Sequence, residues 1–309
     1  MRDIIIDAMN KLKNYVVGYE DLIKLLFIAG LTRGHILIEG PTGTGKTTIA
    51  KLFAVSLGGS FKRVQMTPDL LPSDIIGSYY FDIQKREWVL RKGPIFTNVL
   101  FVDELNRAPP RTQSALIEAM QERQVTIEGN TFPLPNVFIV LASQMPVGTE
   151  GTYNLTPVLI DRFAYSYTTK LPEDEDQEIE IVLKSEVIEG LGNFKIINDI
   201  NILEKAYEEI SKIYVSDKIL RYIARIVKFI RDREEAILSP SPRASIWMYR
   251  ASKALAYLDN MDYVIPDHVK QVARYVLLHR IFLRPEYQMR GVRQIDLVEL
   301  ALRNVEVPK

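Results

Sequence analysis

The chain has 309 residues, and its 47% hydrophobic and 25% charged content is ordinary for a soluble globular protein large enough for two domains. Lys and Arg together number 39, as do Asp and Glu, so the net charge gives no general attraction to nucleic acid or to a membrane surface. The chain contains no cysteine, which excludes disulfides and thiolate metal sites and fits a reducing cytoplasm. Its apolar runs are too short for us to expect a membrane span.

The first forty residues predict two helices and a strand. Apolar residues recur at helical spacing over 4–13 and 20–31, and an apolar run at 35–39 predicts the first strand. An apolar turn with Val17 and Gly18 separates the helices. Taken alone, this turn fits the end of a helix as well as it fits a binding segment.

A glycine-rich loop follows the first strand. Residues 40–47 match the phosphate-binding pattern G-x-x-x-x-G-K-[ST] without a mismatch. Glycines let backbone N–H groups face a polyphosphate, while Lys46 can reach its β- and γ-phosphates and the Thr47 hydroxyl can hold Mg²⁺. A chance glycine turn is the alternative, but the flanking strand and helix favour a nucleotide site. The predicted nucleotide-binding residues of this loop are Gly40, Pro41, Thr42, Gly43, Thr44, Gly45, Lys46, Thr47 and Thr48.

Two acids end a second apolar strand. Residues 99–102 form a continuous apolar run, as expected of a strand covered on both faces, and Asp103 and Glu104 follow it. Open α/β sheets bind ligands at the carboxyl ends of their strands. Asp103 therefore suits the coordination of Mg²⁺, and Glu104 suits polarisation of an attacking water. The alternative is a strand that leaves the core through solvated acids.

The remaining elements up to residue 171 alternate between strands and helices, which predicts a parallel sheet in a three-layered α/β domain. Two pairs of short strands around polar turns, at 79–90 and 124–134, predict hairpins inserted into that order. Further strands are predicted at 61–66 and 137–142, the latter closed by Ser143 and Gln144. A proline-bounded helix start is predicted at 67–74 and an amphipathic helix at 112–122.

A proline and an acidic cluster at 172–176 mark the expected boundary between an α/β domain of residues 1–171 and a helical domain of residues 172–309. No strand pattern is visible beyond it. Arg221, Arg225 and Lys228 share one helical face, but acids lie near them, so we expect a solvated face or a subunit contact rather than bound nucleic acid. Helices are predicted at 176–189, 199–212, 216–234, 242–258 and 266–279.

With both phosphate motifs identified, the sequence resembles AAA+ ATPases, and closely the MoxR family, from Val16 to about His279. Three stretches carry the resemblance: residues 93–126, residues 150–153 together with 161–163, and residues 241–245. The resemblance implies an AAA+ P-loop core, in which the two hairpins are the helix-2 insert and the pre-sensor hairpin. It also implies that an all-helical lid domain follows the core.

The resemblance also implies functional roles around ATP and Mg²⁺. It identifies residues 40–47 as Walker A and the Asp103-Glu104 pair as Walker B. It assigns Val17 and Gly18 to the segment that contacts adenine, which gives a second interpretation of that turn.

Two arginines match positions that act on the γ-phosphate in this family. Arg243 takes the sensor-2 position, a lid cation that touches the nucleotide of its own subunit. Arg162 matches the arginine finger, which reaches the nucleotide of a neighbour and so requires a ring, usually a hexamer. Cations at these positions meet charge that develops during phosphoryl transfer. Arg107 and Arg123 remain alternative fingers.

The sequence departs from the family at two places. Met145 stands where the family usually has the sensor-1 asparagine, and a thioether donates no hydrogen bond. Either Gln144 or Ser143 substitutes for that asparagine, or hydrolysis is slow; we expect slow but real turnover. Residues 156–160 lack the acid and glutamine usual before Asp161, which affects the details of the expected subunit contact.

The resemblance favours a ring-forming ATPase that remodels or matures separate protein partners. Relatives often act with von Willebrand factor A domain proteins, and this sequence contains no such domain. The alternatives are a nucleic-acid-stimulated motor, a metal-chelatase-type subunit, and a nucleotide-gated scaffold with weak hydrolysis. The neutral net charge speaks against the motor.

Overall fold

A computed structural model describes residues 1–146, 149–190 and 195–308. The helices, in chain order, are α1 Arg2–Lys13, α2 Glu20–Thr32, α3 Lys46–Ser56, α4 Pro72–Ile76, α5 Pro110–Glu122, α6 Pro157–Ile160, α7 Glu175–Gly190, α8 Ile202–Ser211, α9 Asp217–Arg231, α10 Pro242–Leu258, α11 Pro266–Leu277, α12 Pro285–Met289 and α13 Gln294–Asn304. The strands are β1 Ile36–Glu39, β2 Phe61–Gln65, β3 Gly77–Asp82, β4 Glu87–Lys92, β5 Val99–Asp103, β6 Gln124–Ile127, β7 Asn130–Pro133, β8 Ile139–Gln144, β9 Tyr165–Thr168, β10 Ala236–Leu238 and β11 Phe282–Leu283.

A five-stranded parallel sheet with the order β2-β5-β8-β1-β9 forms the centre of the α/β part. Its edge strand β9 was not predicted. The strand β8 also continues two residues further than predicted, because Ser143 and Gln144 pair with Ile38 and Glu39 of β1. These two polar residues are therefore part of the strand, whereas the sequence analysis placed them just after it.

Helices cover both faces of this sheet. Side chains alternate along each strand, so apolar side chains point to both faces and each face needs a covering layer. Ile36 and Ile38 of β1 pack into one apolar cluster with α1, α2, α3 and helices of the C-terminal half. Leu37, between them, packs into a second cluster with α5 on the opposite face. The predicted three-layered α/β class is confirmed.

Both predicted hairpins are confirmed as antiparallel pairs. The first joins β3 to β4, and the second joins β6 to β7. The second hairpin turns at Glu128 and Gly129, whose φ angles of 49° and 83° lie in the left-handed region that a two-residue hairpin turn needs.

The five helices predicted beyond residue 171 are confirmed as α7, α8, α9, α10 and α11, with ends that shift by up to three residues. The prediction that this part is all-helical is wrong in one respect. Strands β10 and β11 form a small antiparallel pair, in which Ala236 lies opposite Leu283. Strands this short carry no readable alternation, so sequence analysis missed them. Among the described residues, no helix is long and apolar enough to cross a membrane.

Candidate active site

The candidate site is a cleft of about 430 Å³ where β1, β2, β5 and β8 end. Parallel strands bring their carboxyl ends to one edge of the sheet, and so bring distant loop residues together. A second cleft, of about 380 Å³ between α2, α10 and α11, is lined by neither a glycine loop nor adjacent carboxylates. The first cleft is lined by Thr42, Gly43, Thr44, Gly45, Lys46, Thr47, Thr48, Arg63, Gln65, Asp103, Glu104, Ser143, Gln144 and Met145.

The glycine loop connects β1 to α3 and owes its shape to glycine backbone angles. Gly43 and Gly45 have φ angles of 81° and 73°, in the region that disfavours residues with a Cβ, although a Cβ at either would meet nothing within 4 Å. Gly40 is needed for a different reason. A Cβ there would lie 2.1 Å from Thr169 Oγ1, so this glycine allows the loop to pack against the end of β9.

The Lys46 side chain lies inside the loop. Its Nζ donates hydrogen bonds to the carbonyl oxygens of Gly40, at 3.0 Å, and Pro41, at 2.6 Å. Burial lowers the pKa of this amine, while the nearby Asp103 and Glu104 carboxylates oppose that shift. The ammonium has only carbonyl and hydroxyl partners within the loop, so an anionic ligand would be a stronger partner.

The two acids at the end of β5 are held by the neighbouring strand β8. Ser143 Oγ donates to Asp103 Oδ1 at 2.7 Å and accepts the Glu104 backbone N–H at 2.8 Å. Glu104 has a φ of 54°, an uncommon value for a residue with a side chain. One hydroxyl thus orients the carboxylate of one acid and the strained backbone of the other.

Both acids also contact cationic or amide groups. Arg63 Nη2 lies 2.6 Å from Asp103 Oδ2, and Gln65 Nε2 donates to Glu104 Oε2 at 2.8 Å. Arg107 Nε lies 3.0 Å from the same Glu104 oxygen. Arg107, an alternative finger from the sequence, therefore has an ion-pair partner in its own subunit.

At the end of β8, the side chains of Gln144 and Ser143 have different hydrogen-bond partners. The Gln144 amide donates to Glu39 Oε2 at 3.1 Å, so Gln144 is bonded to the end of β1 and, in this structure, not to the acid pair. The Met145 backbone is held from both sides by Asn106, whose amide accepts from its N–H and donates to its carbonyl. Of the two predicted substitutes for sensor 1, Ser143 is the one that contacts the acids.

The turn with Val17 and Gly18 does not cap α1, because that helix already ends at Lys13. Gly18 has a φ of 73°, and a Cβ on it would lie 3.6 Å from Gln177 Oε1 on α7. The adjacent Tyr19 hydroxyl donates to the Lys170 carbonyl. Burial raises the pKa of Tyr19, and a hydrogen bond with Thr44 of the glycine loop opposes the rise. The turn therefore lies between the glycine loop and α7, although Val17 and Gly18 do not line the cleft.

Arg162 and Arg243 do not line the cleft either. Arg243 Nη1 lies 2.9 Å from Asp161 Oδ2, and the Ser241 hydroxyl donates to both oxygens of the same carboxylate. Ser241 is also the N-cap of α10 and accepts the Arg243 backbone N–H, so the helix start places Arg243 beside Asp161. Arg280, almost fully buried, adds a third contact at 3.0 Å.

Arg162 has few partners among the residues that the structure describes. Its Nη1 donates to the Val158 carbonyl, and its buried Nε makes no hydrogen bond to any residue that the structure describes. Burial, and then the charge of Arg243, lower its pKa. Arg123, the other alternative finger, lies at the end of α5, where its guanidinium donates to the Asn136 carbonyl.

The residues predicted to hold Mg²⁺ lie in the same cleft. Thr47 supplies a hydroxyl and Asp103 a carboxylate, which are hard oxygen donors of the kind that Mg²⁺ prefers. Mg²⁺ commonly binds one or two such groups together with substrate phosphates, and this donor set fits that pattern. Among the residues described, no group of three or more His, Asp or Glu side chains could hold a metal ion.

Comparisons with known proteins agree with the fold. Residues 35–165 match the ATPase family associated with various cellular activities (AAA), and residues 230–299 match the AAA lid domain. A crystal structure of a candidate ATPase from Cytophaga hutchinsonii superimposes with a TM-score of 0.90 at 37% identity, covering 100% of this chain and 96% of the other. The fold and the site therefore define an AAA ATPase with a lid.

Two relatives that match nearly the whole of this chain identify the family within the AAA ATPases. Chaperone MoxR1 of Mycobacterium tuberculosis is 34% identical over 98% of this chain and 82% of its own length. The uncharacterised YeaC of Bacillus subtilis is 38% identical over 97% of this chain and 94% of its own length. The chain belongs to the MoxR family of AAA ATPases.

Proposed function

We propose that this chain binds ATP with Mg²⁺ in the 430 Å³ cleft and hydrolyses its β–γ phosphate linkage. The observation that carries the proposal is that the glycine loop, Lys46 and both acids at the end of β5 line one cleft. Loop N–H groups would bind the phosphates, Lys46 would pair with the β- and γ-phosphates, and Thr47 and Asp103 would hold Mg²⁺. The metal supplies charge neutralisation on the phosphates. Glu104 would polarise the attacking water.

We propose that adenine lies against the turn formed by Val17 and Gly18. The contact between Tyr19 and Thr44 supports this assignment, because it links the turn to the loop that would hold the phosphates. Gly18 also brings the turn close to α7, since a Cβ on it would lie 3.6 Å from Gln177 Oε1. The base would then contact both the core of residues 1–171 and the lid of residues 172–309.

We propose that the chain works as a ring, which we expect to be a hexamer. Arg162 lies outside its own cleft and has a buried Nε without a partner among the described residues, as suits a side chain that acts on a neighbour's nucleotide. Arg243 would act on its own nucleotide, for which it must leave Asp161. Turnover would be slow, because Met145 offers no polar side chain to the water.

We propose that the ring remodels or matures separate protein partners in the cytoplasm. The name of the Mycobacterium tuberculosis relative, a chaperone, supports this role. A von Willebrand factor A domain protein is the partner that the family resemblance implies.

The Glu104→Gln variant tests this function. The amide keeps the size of the side chain and its contact with Gln65 but cannot polarise water, so we expect ATP to bind and turnover to stop. Affinity capture with ATP should then retain a partner that the wild type releases. The control is Glu122→Gln, at an exposed position of α5. Wild-type turnover in Glu104→Gln would remove Glu104 as the activating residue.

A further inference from the structure

Strand β2 contributes two side chains to the cleft that the sequence analysis did not assign. It runs parallel to β5, with Gln65 opposite Asp103 and Arg63 opposite Phe101. Because side chains alternate along a strand, Arg63 and Gln65 point to the same face, and both line the cleft.

Arg63 makes its ion pair with the carboxylate that the proposed function assigns to Mg²⁺. Its Nη2 and Nε lie 2.6 Å and 3.2 Å from Asp103 Oδ2. The other carboxylate oxygen, Oδ1, accepts the Ser143 hydroxyl. Both oxygens of Asp103 are therefore engaged within the protein.

Among the residues that the structure describes, the Arg63 guanidinium has hydrogen-bond partners only on the cleft side. The Arg63 side chain is 47% exposed, against 15% for Asp103, so it is not a packed part of the core. Its one further hydrogen bond among the described residues goes from Nη2 to Gln65 Oε1, at 2.6 Å. A long, half-exposed side chain of this kind can leave its partner at small cost.

We propose that Arg63 is a positioning residue that acts as the counter-ion of Asp103 and competes with Mg²⁺ for its carboxylate. This rests on the proposed function, which makes Asp103 a metal ligand. A guanidinium and a divalent ion beside the same carboxylate oxygen repel each other, so the divalent ion binds more readily as Arg63 withdraws. Arg63 thus raises the Mg²⁺ concentration that the site requires and keeps Asp103 oriented before the metal binds.

Withdrawal of Arg63 also changes the hydrogen bonding of the Gln65 amide. Gln65 accepts from Arg63 through Oε1 and donates to Glu104 through Nε2, so it links the two ion-paired acids. When Arg63 leaves, Gln65 loses one of the two hydrogen bonds that fix its amide orientation and keeps the one to Glu104. Metal binding at Asp103 therefore affects, through Arg63, the Gln65 side chain that contacts Glu104.

The test measures Mn²⁺ binding to nucleotide-free protein by water-proton relaxation, with Mn²⁺ standing in for Mg²⁺. Arg63→Met removes the guanidinium and keeps an unbranched side chain, and we expect Mn²⁺ to bind about two- to fivefold more tightly. Lys62→Met is the matched control, because it removes the same charge from an exposed neighbour on the opposite face of β2. Arg63→Lys keeps the charge and should remain close to wild type.

Equal Mn²⁺ affinity in Arg63→Met and Lys62→Met overturns the proposal, as does a lack of saturable binding in both. ATP binding in excess chelator is the second measurement. A loss of affinity there in Arg63→Met would mean that Arg63 binds phosphate, which also contradicts a counter-ion role. If no protein, including the wild type, bound ATP with Mg²⁺, the proposed function would be overturned. The role of Arg63 would still be decided by the Mn²⁺ affinities of Arg63→Met and Lys62→Met.

Discussion

Ser143 and Met145 lie two residues apart at the end of β8, and their contacts differ in kind. Ser143 binds Asp103 and the Glu104 backbone through its side chain. Met145 is held through its backbone by Asn106, which leaves its thioether at the cleft without a polar function. The cleft can therefore orient the acids well and still lack a polar side chain at the sensor position.

Met145→Asn should raise steady-state ATP turnover by about tenfold, because an oriented donor at a reacting centre contributes a factor of this order or more. The Asn106 contacts involve only the Met145 backbone and should survive the change. Steady-state hydrolysis under saturating ATP checks this. Met289→Asn, at an exposed position of α12, controls for the loss of a methionine. Unchanged turnover in Met145→Asn would count against a sensor defect.

At the scale of residues, the sequence predicts the parts of the cleft that lie close together in the chain. The loop of residues 40–47 and the Asp103-Glu104 pair follow from local patterns and lie together as predicted. Arg63 and Gln65 were missed because they reach the acids across β2 and β5, about 40 residues apart in sequence. Alternation along a strand predicts which residues share a face but not which strand lies beside it.

His35, just before β1, links that strand to β8 and α5 through its ring. Its Nδ1 accepts the Val140 backbone N–H of β8, at 3.0 Å, so the proton is on Nε2, which faces the Met120 carbonyl of α5 at 3.0 Å. Burial lowers the pKa of His35 to about 4, which keeps the ring neutral. A protonated ring would lose the Val140 bond and carry a buried charge.

This histidine gives the fold a pH dependence. The unfolded imidazole takes up a proton at about pH 6.5, and the folded one only at about 4, so stability falls as the pH drops through that window. His35 alone should remove about 2 kcal/mol of unfolding free energy between about pH 7.5 and about pH 5.

Urea unfolding at both pH values, for the wild type and for His35→Gln, isolates this effect from the other histidines. The variant should be less stable at the higher pH and should lose about 2 kcal/mol less on acidification. Equal losses in both proteins would mean that His35 does not titrate as described.

Elements with strong periodicity or clear end signals were predicted well. Helix α10 begins at Pro242 behind the capping Ser241, as the sequence indicates. The edge strand β9 was missed because its sequence Tyr-Ser-Tyr-Thr contains no continuous apolar run. The pair β10 and β11 was missed because these strands have only three and two residues. Their strand conformation comes from partners elsewhere in the chain, so it is set by tertiary structure.

At the scale of the whole molecule, Asp161 joins the lid to the segment that carries Arg162. Its carboxylate binds Ser241, Arg243 and Arg280, all from the C-terminal half. Arg280 also donates to the carbonyl oxygens of Phe163 and Ala164. A movement of the lid would therefore shift the backbone beside Arg162.

Arg162→Ala should spare ATP binding and reduce hydrolysis at least about a hundredfold in assembled rings, since a finger that meets transition-state charge contributes this much or more. Hydrolysis measured above and below the assembly concentration checks this, with sedimentation to report the oligomeric state. Arg111→Ala, at an exposed position of α5, is the control. An identical loss in isolated monomers would contradict action on a neighbour.

The central claim is that a triphosphate binds between the glycine loop and the two acids, and calorimetric titration with a non-hydrolysable ATP analogue and Mg²⁺ tests it most directly. The wild type should show saturable binding. Lys46→Ala should lose affinity by about ten- to hundredfold, because it removes a charged partner of the phosphates, while Lys51→Ala, at an exposed position of the same helix, should not. Equal affinity in the wild type and Lys46→Ala, or no binding to the wild type, would contradict the account.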